Sequence, residues 1–192
     1  DAQARRYGTL IRGEALRLAD MVEHVLEFAG ADSPARATRA AVPVVRAVQG
    51  ALDSLASLIA ERRATVAFDA PTDAESILVN GDLSHLTRAV SNLVVNALKY
   101  GGDSPDVQVS LRREGSGVAI GVSDRGEGLA EAEVDRLFEP FFRGRRALET
   151  QTPGSGLGLA LVRRIARSHG GDVTARPREG GGAIFTLKLP IA

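Results

Sequence analysis

The chain has no cysteine and no tryptophan, a single methionine, and only 4% aromatic residues among its 192. Without thiols it can build neither a disulfide framework nor a thiolate metal site. That usage fits a reducing compartment, and a cytoplasmic location is expected. Net charge is missing as well, with 24 basic residues against 24 acidic ones. A chain so balanced makes no global electrostatic case for nucleic acid or an anionic membrane, and no nucleic-acid partner is expected. No apolar run reaches the roughly 18 residues of a membrane span, and no signal-peptide pattern opens the chain. Any membrane anchor of a longer parent protein is therefore expected elsewhere. Residue 1 falls inside a helical pattern, so the sequence reads as a piece of something longer.

What is present is a 44% hydrophobic content, enough for a sizeable core. Its central stretch is Asn92-Leu-Val-Val-Asn-Ala-Leu-Lys-Tyr100. It lies late in an amphipathic run that starts near Asp82, the expected N-cap. Leu83, Leu86, Val90, Leu93, Val94 and Ala97 recur at spacings of three and four, the period of a helix with one buried face. Asn92 and Asn96 are four apart, so both amides project from one side. Two neutral oxygen donors beside an apolar seam suit a hard cation carrying phosphate. Asn pairs also occur on solvated faces; the glycine-rich segments downstream, which call for the same partner, favour the cation.

Along the chain, residues 2–29 predict one long helix. Ile11, Ala15, Leu18, Val22, Val25 and Ala29 form a heptad seam that asks for partner helices, from another chain or a missing upstream segment. The plainer alternative packs that seam on the chain's own body. Residues 31–43 predict a linker, and residues 44–63 a second helix. Short strands are expected at 65–70 and 77–80, and a β-hairpin from 107–113 and 118–124 through Glu114-Gly-Ser-Gly117. Residues 131–137 predict a short helix, 138–155 irregular chain, 156–169 a helix, and 172–177 with 183–189 the closing strands. This order argues for an α+β two-layer sandwich, helices on one face of a mixed sheet.

Three further segments carry chemistry. Asp124-Arg-Gly-Glu-Gly-Leu129 ends a strand. Its carboxylate could accept a hydrogen bond from an exocyclic amine, with Gly126 and Gly128 allowing close approach; an Asx-type turn is the alternative. Gly154-Ser155-Gly156-Leu157-Gly158 opens a helix, where bare amides and absent side chains make an anion site. It is neither a Walker A loop nor a good dinucleotide fingerprint, and a structural or flexible loop is the competing reading. Phe138-Glu-Pro-Phe-Phe-Arg143 is an aromatic anchor before the irregular segment, and the Arg143 guanidinium could reach a terminal phosphate.

Together these segments resemble the catalytic ATP-binding domain of the sensor histidine kinases, in the superfamily that includes gyrase and the mismatch-repair ATPases (the Bergerat fold). The N box resembles residues 92–100, the first glycine box 124–128, the F box 138–142 and the second glycine box 154–158. A weaker last glycine box resembles 180–185. The likeness covers about residues 44–190, with residues 2–29 similar to the second helix of the dimerisation and phosphoacceptor hairpin. It implies ATP and Mg²⁺ as ligands. It implies Asn96 as metal ligand, Asn92 and Lys99 at the phosphates, Tyr100 stacked near the adenine, and Asp124 reading the adenine amine. Residues 139–155 are the implied ATP lid, Arg143 meets the γ-phosphate, and the Gly156 and Leu157 amides hold phosphates. Implied partners are a response-regulator receiver domain, the chain's own phosphoacceptor helix and a second copy through residues 2–29. The family's phosphoacceptor box is missing, and His24, His85 and His169 do not replace it, so self-phosphorylation at the usual site is not expected. Two other readings stay open: a gyrase-type hydrolysing switch and a non-catalytic nucleotide-binding module.

Overall fold

The computed structural model describes residues 39–150, 152 and 154–192, together with residues 7, 8, 11, 12 and 22. The long helix expected over residues 2–29, and the start of the expected linker, lie largely outside these residues.

Seven strands and five helices make up the described body. In order they are β1 (Ala40–Pro43), α1 (Val44–Ser54), α2 (Ala56–Glu61), β2 (Thr65–Asp69), β3 (Leu78–Gly81) and α3 (Leu83–Tyr100). Then follow β4 (Asp106–Glu114), β5 (Gly117–Ser123), α4 (Arg145–Glu149), α5 (Gly158–Ser168), β6 (Asp172–Pro177) and β7 (Ala183–Pro190). The main sheet runs β2-β4-β5-β7-β6 and is mixed: β2 pairs parallel with β4, and every other pair is antiparallel. β1 and β3 form a separate antiparallel pair.

Strand alternation orients the sheet. In β4, Val107, Val109 and Leu111 are buried while Gln108 and Arg112 are exposed, the pattern of a sheet covered on one face. The covering layer is α1, α3 and α5, whose buried stripes share one core with the strands. α3 supplies most of it: Leu86, Ala89, Val90, Leu93, Val94, Ala97 and Leu98 are all buried, in the helical period, whereas Leu83, expected in the same seam, is exposed in the first turn. Asp82 caps α3 as the sequence implies, accepting from the Ser84 and His85 amides.

The structure corrects several expectations. Residues 40–43, placed in the linker, are a strand paired to β3. The single helix expected over 44–63 breaks at Leu55 (φ −98°, ψ 2°), whose amide is shared between the Ala51 and Leu52 carbonyls, next to Ser54, whose hydroxyl also donates to the Ala51 carbonyl. Beyond the break α2 buries nothing fully. Residues 131–136 are a 3-10 turn with no buried residue. The segment 138–155, expected to be irregular, contains α4. α5 starts at Gly158 instead of 156, because Gly156 sits at φ +74°, outside any right-handed helix.

Leu93 has no exposure and belongs to the core that the helices and the sheet share. Leu93→Ala is expected to lower the free energy of unfolding by about 2–5 kcal/mol, read from urea denaturation.

Candidate nucleotide site

One cavity of about 880 Å³ opens between α3, the end of β5, the 3-10 turn and the 142–159 segment. Each of its walls comes from a different part of the chain. α3 gives the floor, with Asn92, Val95, Asn96, Lys99 and Tyr100 facing it one or two turns apart. The Asn92 amide nitrogen donates to the Arg88 carbonyl at 3.0 Å, which turns its oxygen towards Gly158 at the start of α5. A methyl on Gly158 would lie 2.9 Å from that oxygen.

Asp124 forms the back wall at the end of β5 and is 3% exposed. Its Oδ1 accepts both the Gly126 amide (2.8 Å) and the Ala183 amide (3.3 Å). Oδ2 is left to the cavity, beside apolar Leu129, Ala130, Leu137 and Phe185. A carboxylate in such a setting can accept one more hydrogen bond from an amine on a flat apolar ligand. The expected Asx-type turn is present as well, since the Gly126 bond is that turn, so the two readings of Asp124 are compatible. Gly126 does not line the cavity. It packs against the end of α3, where a methyl would overlap the Tyr100 carbonyl oxygen. Gly128, at φ +81°, does line it.

The rim is the loop into α5. Gly154, Ser155, Gly156 and Gly158 all line the cavity, and Leu157 does not. The Leu157 side chain is buried in the core, and its amide donates to Ser155 Oγ at 3.3 Å. Gly156 is fixed by the F-box segment: its carbonyl accepts the Phe141 amide at 3.1 Å, and a Cβ would meet the Phe141 and Phe142 backbone. Arg143 lines the cavity but is engaged. Its Nη2 donates to the Ala147 and Thr152 carbonyls, so it folds the 143–152 loop on itself. Burial pushes the Tyr100 phenol above its ordinary value, with Arg143 pulling the other way.

The sequence reading did not anticipate Glu133. It lines the cavity, and its Oε1 accepts the Arg145 amide at 3.1 Å, tethering the start of α4. Nothing in a short, polar, helix-like stretch distinguishes that carboxylate from a solvated one. Among the described residues no cluster of three His, Cys, Asp or Glu could hold a metal. A hard cation here would have to rely on amide oxygen, water and the ligand's own oxygens.

Burial, chiefly, raises the Asp124 carboxyl above the usual 3.8, against the pull of the Gly126 and Ala183 amides and Arg178. A group whose folded pKa exceeds its unfolded value favours folding while protonated and loses that contribution as pH rises through the folded value. Asp124→Asn keeps an acceptor for both amides without the charge. The variant is expected to melt higher than the wild type at about pH 7.5, with the gap closing towards about pH 4, as scanning calorimetry would read.

The family model described as histidine kinase-, DNA gyrase B-, and HSP90-like ATPase matches residues 81–192. The sensor-like histidine kinase SenX3 of Mycobacterium bovis is 38% identical over 97% of this chain and 45% of its own length. The chain thus spans about half the length of such curated relatives. Among solved structures, full-length ShkA in complex with AMPPNP matches 98% of this chain and 39% of its own, with TM-score 0.76 and 28% identity. Histidine kinase ThkA in complex with the response regulator TrrA has the same fold, with TM-score 0.75 and 22% identity over 95% of this chain and 50% of that one. No helix among the described residues is long and apolar enough to cross a membrane. Because the family match begins at the cap of α3 and runs through the floor, back wall and rim of the cavity, the chain belongs to the histidine kinase-, DNA gyrase B- and HSP90-like ATPase family, in the form of the catalytic ATPase domain of sensor histidine kinases.

Proposed function

We propose that this chain is the ATP-binding core of a two-component sensor histidine kinase, passing the γ-phosphoryl of Mg²⁺·ATP to a histidine on a helix outside these residues. One observation carries the reading: Asn96, Asp124 and the Gly154–Gly158 loop converge on one cavity. Asp124 Oδ2 takes the adenine amine, and Tyr100 and Leu129 flank the base. Asn96 contributes its amide oxygen to Mg²⁺, which neutralises developing phosphate charge. That donor set suits Mg²⁺, which keeps water and phosphate oxygens as its other ligands. Asn92 supports the phosphate end, and Lys99, beside Gly154, pairs with phosphate. The phosphates rest on the Gly156 and Gly158 amides in place of Leu157, whose amide is already used. Arg143 meets the γ-phosphate after releasing the Ala147 and Thr152 carbonyls.

A gyrase-type hydrolase needs a base at the first N-box position to activate water; Asn92 is an amide and cannot serve. The partners that follow are a receiver domain, as in the ThkA–TrrA complex, the phosphoacceptor helix, and a second copy through residues 2–29. On this reading the response regulator receives the phosphoryl group from that histidine.

Asn96→Ala and Asp124→Ala are each expected to abolish Mg²⁺·ATP binding in isothermal calorimetry, and unchanged affinity in both would remove the assignment. Incubation with γ-labelled ATP is expected to leave this chain unlabelled while labelling a longer chain that includes the preceding helix. A stable acid-labile phosphoryl group on His24, His85 or His169 would contradict this. A longer chain that binds ATP without becoming labelled would favour the non-catalytic module.

A further inference from the structure

A second polar cluster, centred on one buried histidine, sits at the opposite end of the two helices that line the cavity. His169 follows the last turn of α5 and is buried. Its Nδ1 donates to the Ile165 carbonyl at 2.7 Å, and its Nε2 accepts the Asp82 amide at 3.1 Å. Both ring nitrogens are used, which selects the neutral tautomer with its proton on Nδ1. Asp82 is the N-cap of α3, so one imidazole joins the last turn of α5 to the first residue of α3.

Gly81 makes room for this ring. A methyl there would lie 2.7 Å from Nε2 and closer still to Cδ2. Gly81 belongs to extended β3 and is not among the positive-φ residues, so its backbone makes no left-handed demand. Space for the imidazole is what the structure requires of it. The chain entering β1 touches the same place, where Arg39 Nη2 donates to the Ser168 carbonyl.

We propose that His169 is a positioning residue of the nucleotide site: by joining the end of the rim helix to the cap of the floor helix it holds the glycine rim over Asn92 and Asn96, and ATP affinity depends on that joint. The inference rests on the ATP-binding reading above. α3 and α5 share one buried core, and a close-packed interior passes a displacement at one end of two packed helices to the other. The floor and rim are the parts that such a displacement separates.

The joint also requires a neutral ring. A proton taken from solvent at Nε2 would set N–H against the Asp82 N–H and break that bond. The charged and titratable groups facing the ring are Asp82 and His85 of α3, with the His85 ring edge-on at 6.4 Å, and Arg39 before β1. Burial, first, lowers the His169 pKa below 6.5; His85 and Arg39 add to this, while the Ile165 bond and Asp82 oppose it. With a depressed folded pKa the joint is complete above the unfolded value of 6.5 and is lost as pH falls through the folded one.

The test is calorimetric titration of the 192-residue chain with Mg²⁺·ATP at about pH 8 and at the lowest pH at which the proteins compared stay folded, below the melting temperature of each variant. His169→Ala is expected to weaken binding about fivefold or more at the higher pH. His169→Gln, whose carbonyl can accept the Asp82 amide, is expected to recover most of that loss. The wild type should lose more affinity between the two pH values than His169→Gln does, and protonation of ATP itself cancels in that comparison. A folded His169→Ala that binds like the wild type at both values would overturn the proposal. If His169→Ala does not fold, the comparison with His169→Gln decides, and equal pH slopes overturn it. Absence of ATP binding by the wild type overturns the nucleotide reading together with it.

Discussion

The packing of α3 is the constraint from which the rest of the structure follows. Its buried stripe runs from Leu86 to Leu98 and meets α1, α5 and the sheet in one core. A helix so engaged cannot rotate without exposing several large side chains, at roughly 1.5–3 kcal/mol each. Its other side therefore points where the core dictates. That side carries Asn92, Asn96, Lys99 and Tyr100, placed around one cavity by residues that never touch it. Rigidity of this kind is what a site needs when its chemistry consists of holding charges in position.

Several features of the site cost stability, and they are concentrated at its walls. Asp124 is buried as a carboxylate with neighbouring amides as its main support. Phe141 sits at φ +64°, a conformation that costs a residue other than glycine about 1–3 kcal/mol. Its side chain is 63% exposed, so apolar burial does not offset that strain. The compensation is local: the Phe141 amide bonds the Gly156 carbonyl and fastens one end of the 143–155 segment to the other. The tether from Glu133 to the Arg145 amide and the Arg143 bonds to the Ala147 and Thr152 carbonyls close the same segment from within. Such a loop is held by polar contacts that a ligand can exchange for its own, while the core helices stay fixed.

What could be read in the sequence follows the range of the forces involved. α3, the β4–β5 hairpin, the Asp82 cap and the two-layer order are short-range or periodic, and the chain spells them out. The parallel pairing of β2 with β4 was not readable, because it joins residues some forty apart and has no local mark. The break at Leu55, where one amide is shared between the Ala51 and Leu52 carbonyls, has no mark in an otherwise continuous helical pattern. Asn96, Asp124, Gly128, Gly154, Gly156 and Gly158, singled out in the sequence because their residue types are unusual in those places, do line one cavity, and Gly126 does not. Leu157 was assigned through its amide, yet that amide turns to Ser155 and the side chain to the core. Glu133 went unseen because a carboxylate that binds a distant amide looks, in sequence, like one that binds water.

The first N-box position separates two chemistries that the fold can otherwise support. Hydrolysis needs a group there able to take a proton from water as it attacks. Asn92 cannot, and its geometry adds to the argument: the amide nitrogen is tied to the Arg88 carbonyl, so the oxygen faces Gly158 at the rim. An amide fixed in this way can orient a phosphate or a metal-bound water but cannot remove a proton. On the opposite wall, Glu133 holds the start of α4 by accepting the Arg145 amide through Oε1. On the proposed reading, a cavity without a base at that position would keep bound ATP from water until an acceptor arrives with a nucleophile of its own. That is the behaviour a phosphoryl donor needs and a hydrolase must avoid.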